Sequence, residues 1–319
     1  MSSIRIGIIG LGSIGLRMLG AIDEHPEFVA TVAFDPCDRA VSRASTSHPQ
    51  LSIVHDPSQV IAAAEVDIVY IACPPEQHAA HALAASAAGK PVLCEKPLGI
   101  NLDASHALVE SMAGGAPHGV NFLLAAAHGA DHIAEQHDQG ELGEILAIEI
   151  QLHLVDWARR RYTQAPWLSK SAAGGFLREV ASHHLYFASR LLGSLELQHA
   201  FVGRTSDPTA AEHFASAMLM AGKVPITLTG STRGFGADVN RCVVRGSKAS
   251  YAIRDLHGLD MATENGWQAA FEPPEHPERD THLRQLNRVQ RMLEGEVGAT
   301  ASFADALHVQ TLIEGILAF

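Results

Sequence analysis

The sequence predicts an α/β protein in two parts. Residues 1–120 are expected to form a doubly wound parallel sheet, and residues 121–319 an α+β domain with a large, mainly antiparallel open sheet. Three observations predict it. Short apolar runs alternate with helical stretches through the first third of the chain, as in repeated βα units. A glycine triplet, Gly10, Gly12 and Gly15, lies between the first such run and the first helical stretch. After Asn121 the texture changes, and strand-like runs follow one another with few long helices between them.

Taken in order, Ile4–Ile9 is a short β-branched run that reads as a strand, and the stretch after Gly15 reads as a helix toward Ile22. Val29–Phe34 and Leu51–Val54 are further strands. Asp56 suits an N-cap, with Pro57 at the first helical position, for a helix through Ala64. Val66–Ala72 is almost unbroken in its apolar character, as a strand covered on both faces should be. Pro74 and Pro75 can open a helix that passes through His78 and His81, and Gly89 closes it. Pro91–Cys94 is the next strand, so Glu95 and Lys96 leave it at its carboxyl end, where ligands gather in open parallel sheets. Asn101 caps a helix to Met112, Gly114 and Gly115 break it, and Gly119-Val120 reads as the last strand of the first domain.

In the second domain Glu144–Leu154 alternates apolar and polar residues, as a half-exposed strand does. Leu197–Val202, Phe214–Met220, Val224–Gly230, Asn240–Arg245 and Ala249–Ile253 are expected to join it in one sheet. Such a sheet has a face left over, which a partner subunit would cover. Gly174-Gly175 precedes a helix that runs through Leu192 to Gly193, and Thr281–Leu293 and Phe303–Leu317 read as amphipathic helices.

Composition narrows the function classes. A formal charge of −12 disfavours an electrostatic grip on nucleic acid or an anionic membrane. The four cysteines, Cys37, Cys73, Cys94 and Cys242, show no C-x-x-C spacing, so neither a zinc site nor a redox pair is encoded locally. The 19 histidines are mostly scattered among polar loop-like residues and read as solvated groups, and no metal is expected. No export signal or membrane-spanning run is visible, so the cytoplasm is the expected compartment.

The strand, glycine triplet and helix at the N-terminus form G-x-G-x-x-G in the context that a Rossmann dinucleotide site requires. Gly10 permits the tight turn, Gly12 lets backbone approach a pyrophosphate, and Gly15 lets helix and strand close up. Ser13 and Ile14 complete the loop, and the helix start offers unpaired N–H groups to phosphate. Asp35 lies 20 residues beyond Gly15, the spacing of a ribose-binding acid. Its carboxylate favours NAD by repelling a 2′-phosphate, whereas Arg39 could clamp that phosphate and favour NADP. Arg39 is read equally as a solvated helix residue.

Lys96 alone reads as a surface lysine. The run Glu95-Lys96-Pro97, with Pro74 and His78 upstream, closely resembles the family of glucose–fructose oxidoreductase, inositol dehydrogenase and MocA. That resemblance implies that Lys96 acts at a substrate alcohol or carbonyl and that Pro74, His78 and Glu95 line the cofactor. It also implies a homodimer or homotetramer through the C-terminal sheet. Glu179 and His183, four residues apart on one helix, share a face. Taken alone they fit an ordinary helix-surface ion pair. The family carries Asp and then His at these positions, so His183 matches and Glu179 departs by one methylene. Ala181 and Tyr186 depart as well. Asn121–His128 lacks the cation that the family often carries there, and Arg159, Arg160, Arg161, Tyr162 and Trp167 are candidates to replace it or to coat the surface.

These parts fit reversible hydride transfer to or from a sugar, inositol or related polyol. His183 would be the acid/base, Lys96 would stabilise the substrate oxygen, and Glu179 would hold the His183 tautomer. The roles of Lys96 and His183 could be exchanged. An NAD-binding sensor without turnover and an NAD-dependent glycoside hydrolase are the alternatives on the same scaffold.

Overall fold

The computed structural model describes residues 3–158 and 165–319. The chain divides into two compact units. One runs to Phe122 and takes back His282–Leu307, and the other comprises Leu123–Thr281 with His308–Phe319. Two contiguous domains were expected, so the return of a late segment to the first unit is a difference. Its cause is apolar: Leu286, Val289 and Met292 sit in the same core cluster as Ile6, Ile8, Met18 and Phe28.

In the first unit the strands are β1 (Ile4–Ile9), β2 (Phe28–Phe34), β3 (Ser52–Ile53), β4 (Ile68–Ile71), β5 (Val92–Glu95) and β6 (His118–Asn121). All pair parallel, in the order β3-β2-β1-β4-β5-β6. The chain reverses its direction of winding between β1 and β4, the point where a crevice opens beyond the carboxyl ends. The helices between strands are α1 (Ser13–Glu24), α2 (Asp38–Ser47), α3 (Pro57–Ala62), α4 (His78–Ala87) and α5 (Leu102–Met112).

Local chemistry explains the helix starts. Asp56 accepts the Ser58 N–H at 2.8 Å while Gln59 reaches back to the Asp56 N–H, a capping box with Pro57 at its first position. Asn101 accepts from the Ala104 N–H at 2.9 Å. No side chain caps α1. A 3₁₀ turn, Pro75–Gln77, precedes α4, because the paired prolines open it before the α pattern begins. Gly89 has φ +72, the left-handed conformation expected of a helix-ending glycine.

The second unit opens with two helices that the sequence reading did not assign, α6 (Leu123–Ala126) and α7 (His128–Asp138). Its sheet contains β7 (Ile145–Leu154), β8 (Glu196–Gly203), β9 (Phe214–Ala221), β10 (Val224–Thr232), β11 (Val239–Gly246), β12 (Ser250–Arg254), β13 (Gly258–Thr263) and β14 (Gly266–Ala269). The order is β14-β13-β12-β11-β7-β10-β9-β8, antiparallel except where β7 meets β10. Along β7, Ile148, Ile150, Leu152 and Leu154 are buried while Glu149, Gln151 and His153 face out. Between β7 and β8 lies α8 (Ser182–Leu192), and two late helices, α9 (Pro277–Leu293) and α10 (Phe303–Leu317), end the chain.

One helix differs from its expected form. Leu177–Ala181 is a wide π turn with i→i+5 bonding, and regular α8 begins only at Ser182. Glu179 therefore sits in the wide turn and His183 in the first turn of α8, so the two do not share one regular helix.

Candidate active site

In the first unit the candidate residues gather at the carboxyl edge of the parallel sheet. Gly10 has φ +108, and a Cβ there would lie 2.5 Å from the backbone carbon of Ala72. A Cβ on Gly15 would lie 2.0 Å from the Gly10 carbonyl oxygen, so close contact of helix and loop requires glycine. At Gly12 a Cβ would meet nothing within 4 Å. Sterics inside the unit demand Gly10 and Gly15 but leave room beside Gly12, as a loop that receives a pyrophosphate would. Ser13 and Ile14 are the first residues of α1, whose first-turn N–H groups no side chain caps.

Asp35 leaves β2 and braces this loop. Its two carboxylate oxygens accept the Leu11 N–H at 2.7 Å and the Cys37 N–H at 2.8 Å. Each oxygen keeps a further lone pair, so the carboxylate can still accept from ribose hydroxyls. Arg39 is exposed on α2. The open Gly12 position, the uncapped start of α1 and Asp35 together fit a dinucleotide.

Lys96 follows β5 and is half-buried. Pro74 is exposed at the end of the loop after β4, whereas His78, expected beside the nicotinamide, is almost fully buried. Its Nδ1 lies 2.9 Å from the Pro97 carbonyl oxygen and its Nε2 2.8 Å from that of Cys73. His78 is a bolt between two loops. Glu95, also expected at the cofactor, turns inward instead. Tyr70 Oη donates to its Oε1 at 2.6 Å and Asn121 Nδ2 donates to the same oxygen at 2.6 Å. Sequence reading missed both partners, since Tyr70 lies within an apolar run and Asn121 at a supposed boundary.

In the second unit His183 is buried, and the Leu123 N–H donates to its Nδ1 at 3.3 Å. A backbone N–H can only donate, so a neutral His183 ring carries its proton on Nε2. The π turn that holds Glu179 is fixed by two buried charges. Arg178 makes a bidentate pair with Glu314, at 2.7 and 2.8 Å, and donates to the carbonyls of Ser171 and Gly174. Glu212 accepts the Leu177 N–H at 2.9 Å, and burial pushes its carboxyl up from the ordinary range. A Cβ on Gly175, where φ is +107, would lie 2.3 Å from a Glu212 oxygen, which explains the glycine. Neither Glu212 nor Glu314 carried a sequence signal, because each is distant along the chain from what it holds.

Trp167 lies in a 3₁₀ turn, Pro166–Ser169, while Arg159, Arg160, Arg161 and Tyr162 lie outside the described residues. Among the described residues no three His, Cys, Asp or Glu side chains gather as a metal site, and no helix is long and apolar enough to cross a membrane.

Comparison with known proteins agrees with this geometry. Residues 4–115 match the family model described as "Oxidoreductase family, NAD-binding Rossmann fold", and residues 131–252 match the C-terminal domain of the same family, GFO/IDH/MocA. The chain belongs to the Gfo/Idh/MocA family. A family relative, inositol 2-dehydrogenase of Rhodococcus erythropolis, is 33% identical over 148 residues, which are 46% of this chain and 43% of that protein. Levoglucosan dehydrogenase of Pseudarthrobacter phenanthrenivorans is 27% identical over 214 residues, 63% of this chain and 54% of the relative. The matched stretch thus spans about half the length of these relatives or less. Among solved Gfo/Idh/MocA-like folds, an oxidoreductase from Agrobacterium radiobacter in complex with NAD+, L-tartaric acid and magnesium superposes with a TM-score of 0.85. It is 17% identical, and the match covers 99% of this chain and 96% of that one.

Proposed function

We propose that this chain is an NAD(P)-dependent oxidoreductase that moves a hydride between nicotinamide and a hydroxyl-bearing carbon of a sugar, inositol or related polyol. One placement carries the reading. Lys96 leaves β5 on the same sheet edge as the open Gly12 loop and Asp35, all within one unit. The activities named for the inositol and levoglucosan relatives support the polyol class.

The dinucleotide, when bound, supplies the hydride acceptor or donor. Gly10, Gly12, Ser13, Ile14 and Gly15 would hold its pyrophosphate and Asp35 its ribose, with NAD favoured over NADP because the carboxylate repels a 2′-phosphate. Lys96 would take the hydroxyl proton during oxidation and return it during reduction. His183, with its proton on Nε2, would donate a hydrogen bond to a substrate oxygen as negative charge develops on it. This reading exchanges the roles first assigned to the two residues. The Leu123 N–H at Nδ1 supports it, taking the tautomer-fixing part expected of Glu179. Glu179 remains the proposed carboxylate of the site.

A homodimer or homotetramer through the second sheet is part of the proposal. Phe201 and Met218 stand 62% and 48% exposed on the adjoining strands β8 and β9, a patch that a second copy would cover. The test of function is NADH or NADPH formation driven by a panel of inositols, sugars and anhydrosugars. Turnover with at least one, at higher kcat/KM with NAD than with NADP, is expected. Dinucleotide binding without reduction by any of them would contradict the reading.

A further inference from the structure

We infer that Tyr70, Glu95 and Asn121 form a buried electrostatic seat for Lys96: two hydrogen bonds keep the Glu95 carboxylate negative, and that charge holds the adjacent lysine side chain in place. The inference rests on the reading of Lys96 as the proton-transfer residue and assigns Glu95 as a positioning residue, not as a cofactor ligand.

Strand alternation builds the cluster. Tyr70 pairs with Leu93 and Glu95 pairs with Asn121, so Tyr70, Leu93, Glu95 and Asn121 share one face of the parallel sheet. Tyr70 and Leu93 belong to the core cluster that includes Leu286 and Val289 of α9, which places Glu95 on the α9-covered face. The next residue, Lys96, is the first beyond the strand. A carboxylate at this depth needs a reason.

The hydrogen bonds supply the reason. Tyr70 Oη and Asn121 Nδ2 both reach Oε1, each at 2.6 Å. Two donors on one oxygen favour the ionised form of the carboxyl. Asn121 Oδ1 is buried without a hydrogen-bond partner, so the amide is committed to donating toward Glu95. Burial pushes the Glu95 carboxyl up, and the Tyr70 bond is the largest influence opposing it, followed by the Asn121 bond and the charges of Lys96 and His282. Two of the titratable neighbours, Tyr70 and Cys94, keep their protons at neutral pH. Burial and the Glu95 charge drive the Tyr70 hydroxyl well above its usual range, and burial does the same to the Cys94 thiol. The cluster therefore serves as a fixed charge.

The test uses the full chain with Tyr70→Phe, and Asn121→Ala as a second variant should the first not fold. Losing either donor raises the Glu95 pKa further. The acidic limb of the kcat/KM–pH profile is then expected to move up by about one pH unit, with the high-pH plateau retained. Glu95→Gln is expected to lose about a hundredfold at all pH values through misplacement of Lys96. A second readout needs no turnover. An acid with a raised folded pKa contributes stability below its unfolded pKa, and that contribution is lost as pH rises through the folded value. The Tm gap between wild type and Tyr70→Phe should therefore widen from pH 5 to pH 8. An unmoved limb, or a gap constant across that range, overturns the inference. Should no polyol drive turnover, the oxidoreductase reading falls, while the Tm series still decides whether these donors keep Glu95 charged.

Discussion

The imidazole of His78 lies 2.9 Å, at Nδ1, from the carbonyl oxygen of Pro97, the residue that follows Lys96. Its other nitrogen faces the Cys73 carbonyl at 2.8 Å, so one side chain ties the loop after β4 to the loop that carries the lysine. A neutral ring has one N–H for these two acceptors. Burial pushes the His78 pKa down, although both carbonyls draw it up.

His78→Ala is expected to lower stability by about 1–3 kcal/mol through the buried carbonyl that loses its donor. It should also reduce kcat more than it raises KM, because Lys96 would lose its placement. The pH sign follows from the lowered pKa. A His depressed below its ordinary 6.5 contributes stability above that value and loses it as pH falls through the folded pKa. Urea unfolding at pH 7.5 and pH 5 should show the variant's deficit shrinking at the lower pH.

The glycine loop separates fold from function. Gly12→Ala places its methyl in open space, so the unfolding midpoint without cofactor should stay near that of wild type. Dinucleotide affinity should fall by at least about tenfold, a loss of about 1.4 kcal/mol. Gly15→Ala drives a methyl into the Gly10 carbonyl and should cost about 1–3 kcal/mol of stability before any cofactor is added. Thermal shifts with and without NAD measure both. Equal destabilisation by the two variants would contradict the assignment of Gly12 to the ligand.

His184, next to the proposed catalytic imidazole, is fully buried, and its Nε2 lies 2.6 Å from Asn240 Oδ1. Burial pushes its pKa down to about 4. Stability present above pH 6.5 should thus be lost as pH falls toward 4, by about 3 kcal/mol at about 1.4 kcal/mol per unit. His184→Gln, which cannot titrate, should flatten that acid limb in denaturant unfolding measured from pH 7 to pH 4.

The parts of this protein written in local pattern were legible in its sequence. The β1–glycine–α1 unit, the capped α3 and the alternation along β7 each depend on residues a few positions apart. Strands β13 and β14 were missed because Gly258–Thr263 and Gly266–Ala269 are short and end the sheet, with weak alternation. The π turn at Leu177–Ala181 was illegible for another reason. Glu212 and Glu314 hold it, and both lie far along the chain. The role of His78 depends on backbone carbonyls, which a sequence does not display. Glu95 was noticed for the company of Lys96, but the donors that explain its burial come from two other strands.

The central proposal is that Lys96 and His183 both serve one hydride-transfer reaction. A double-mutant cycle on kcat/KM tests it most directly, with Lys96→Met, His183→Ala and the double variant assayed on the best polyol at saturating NAD. Each single variant is expected to lose about a hundredfold or more, and the double variant little beyond the worse single, as for groups that act as a unit. Losses that multiply in the double variant, or a single variant with wild-type turnover, would contradict the account.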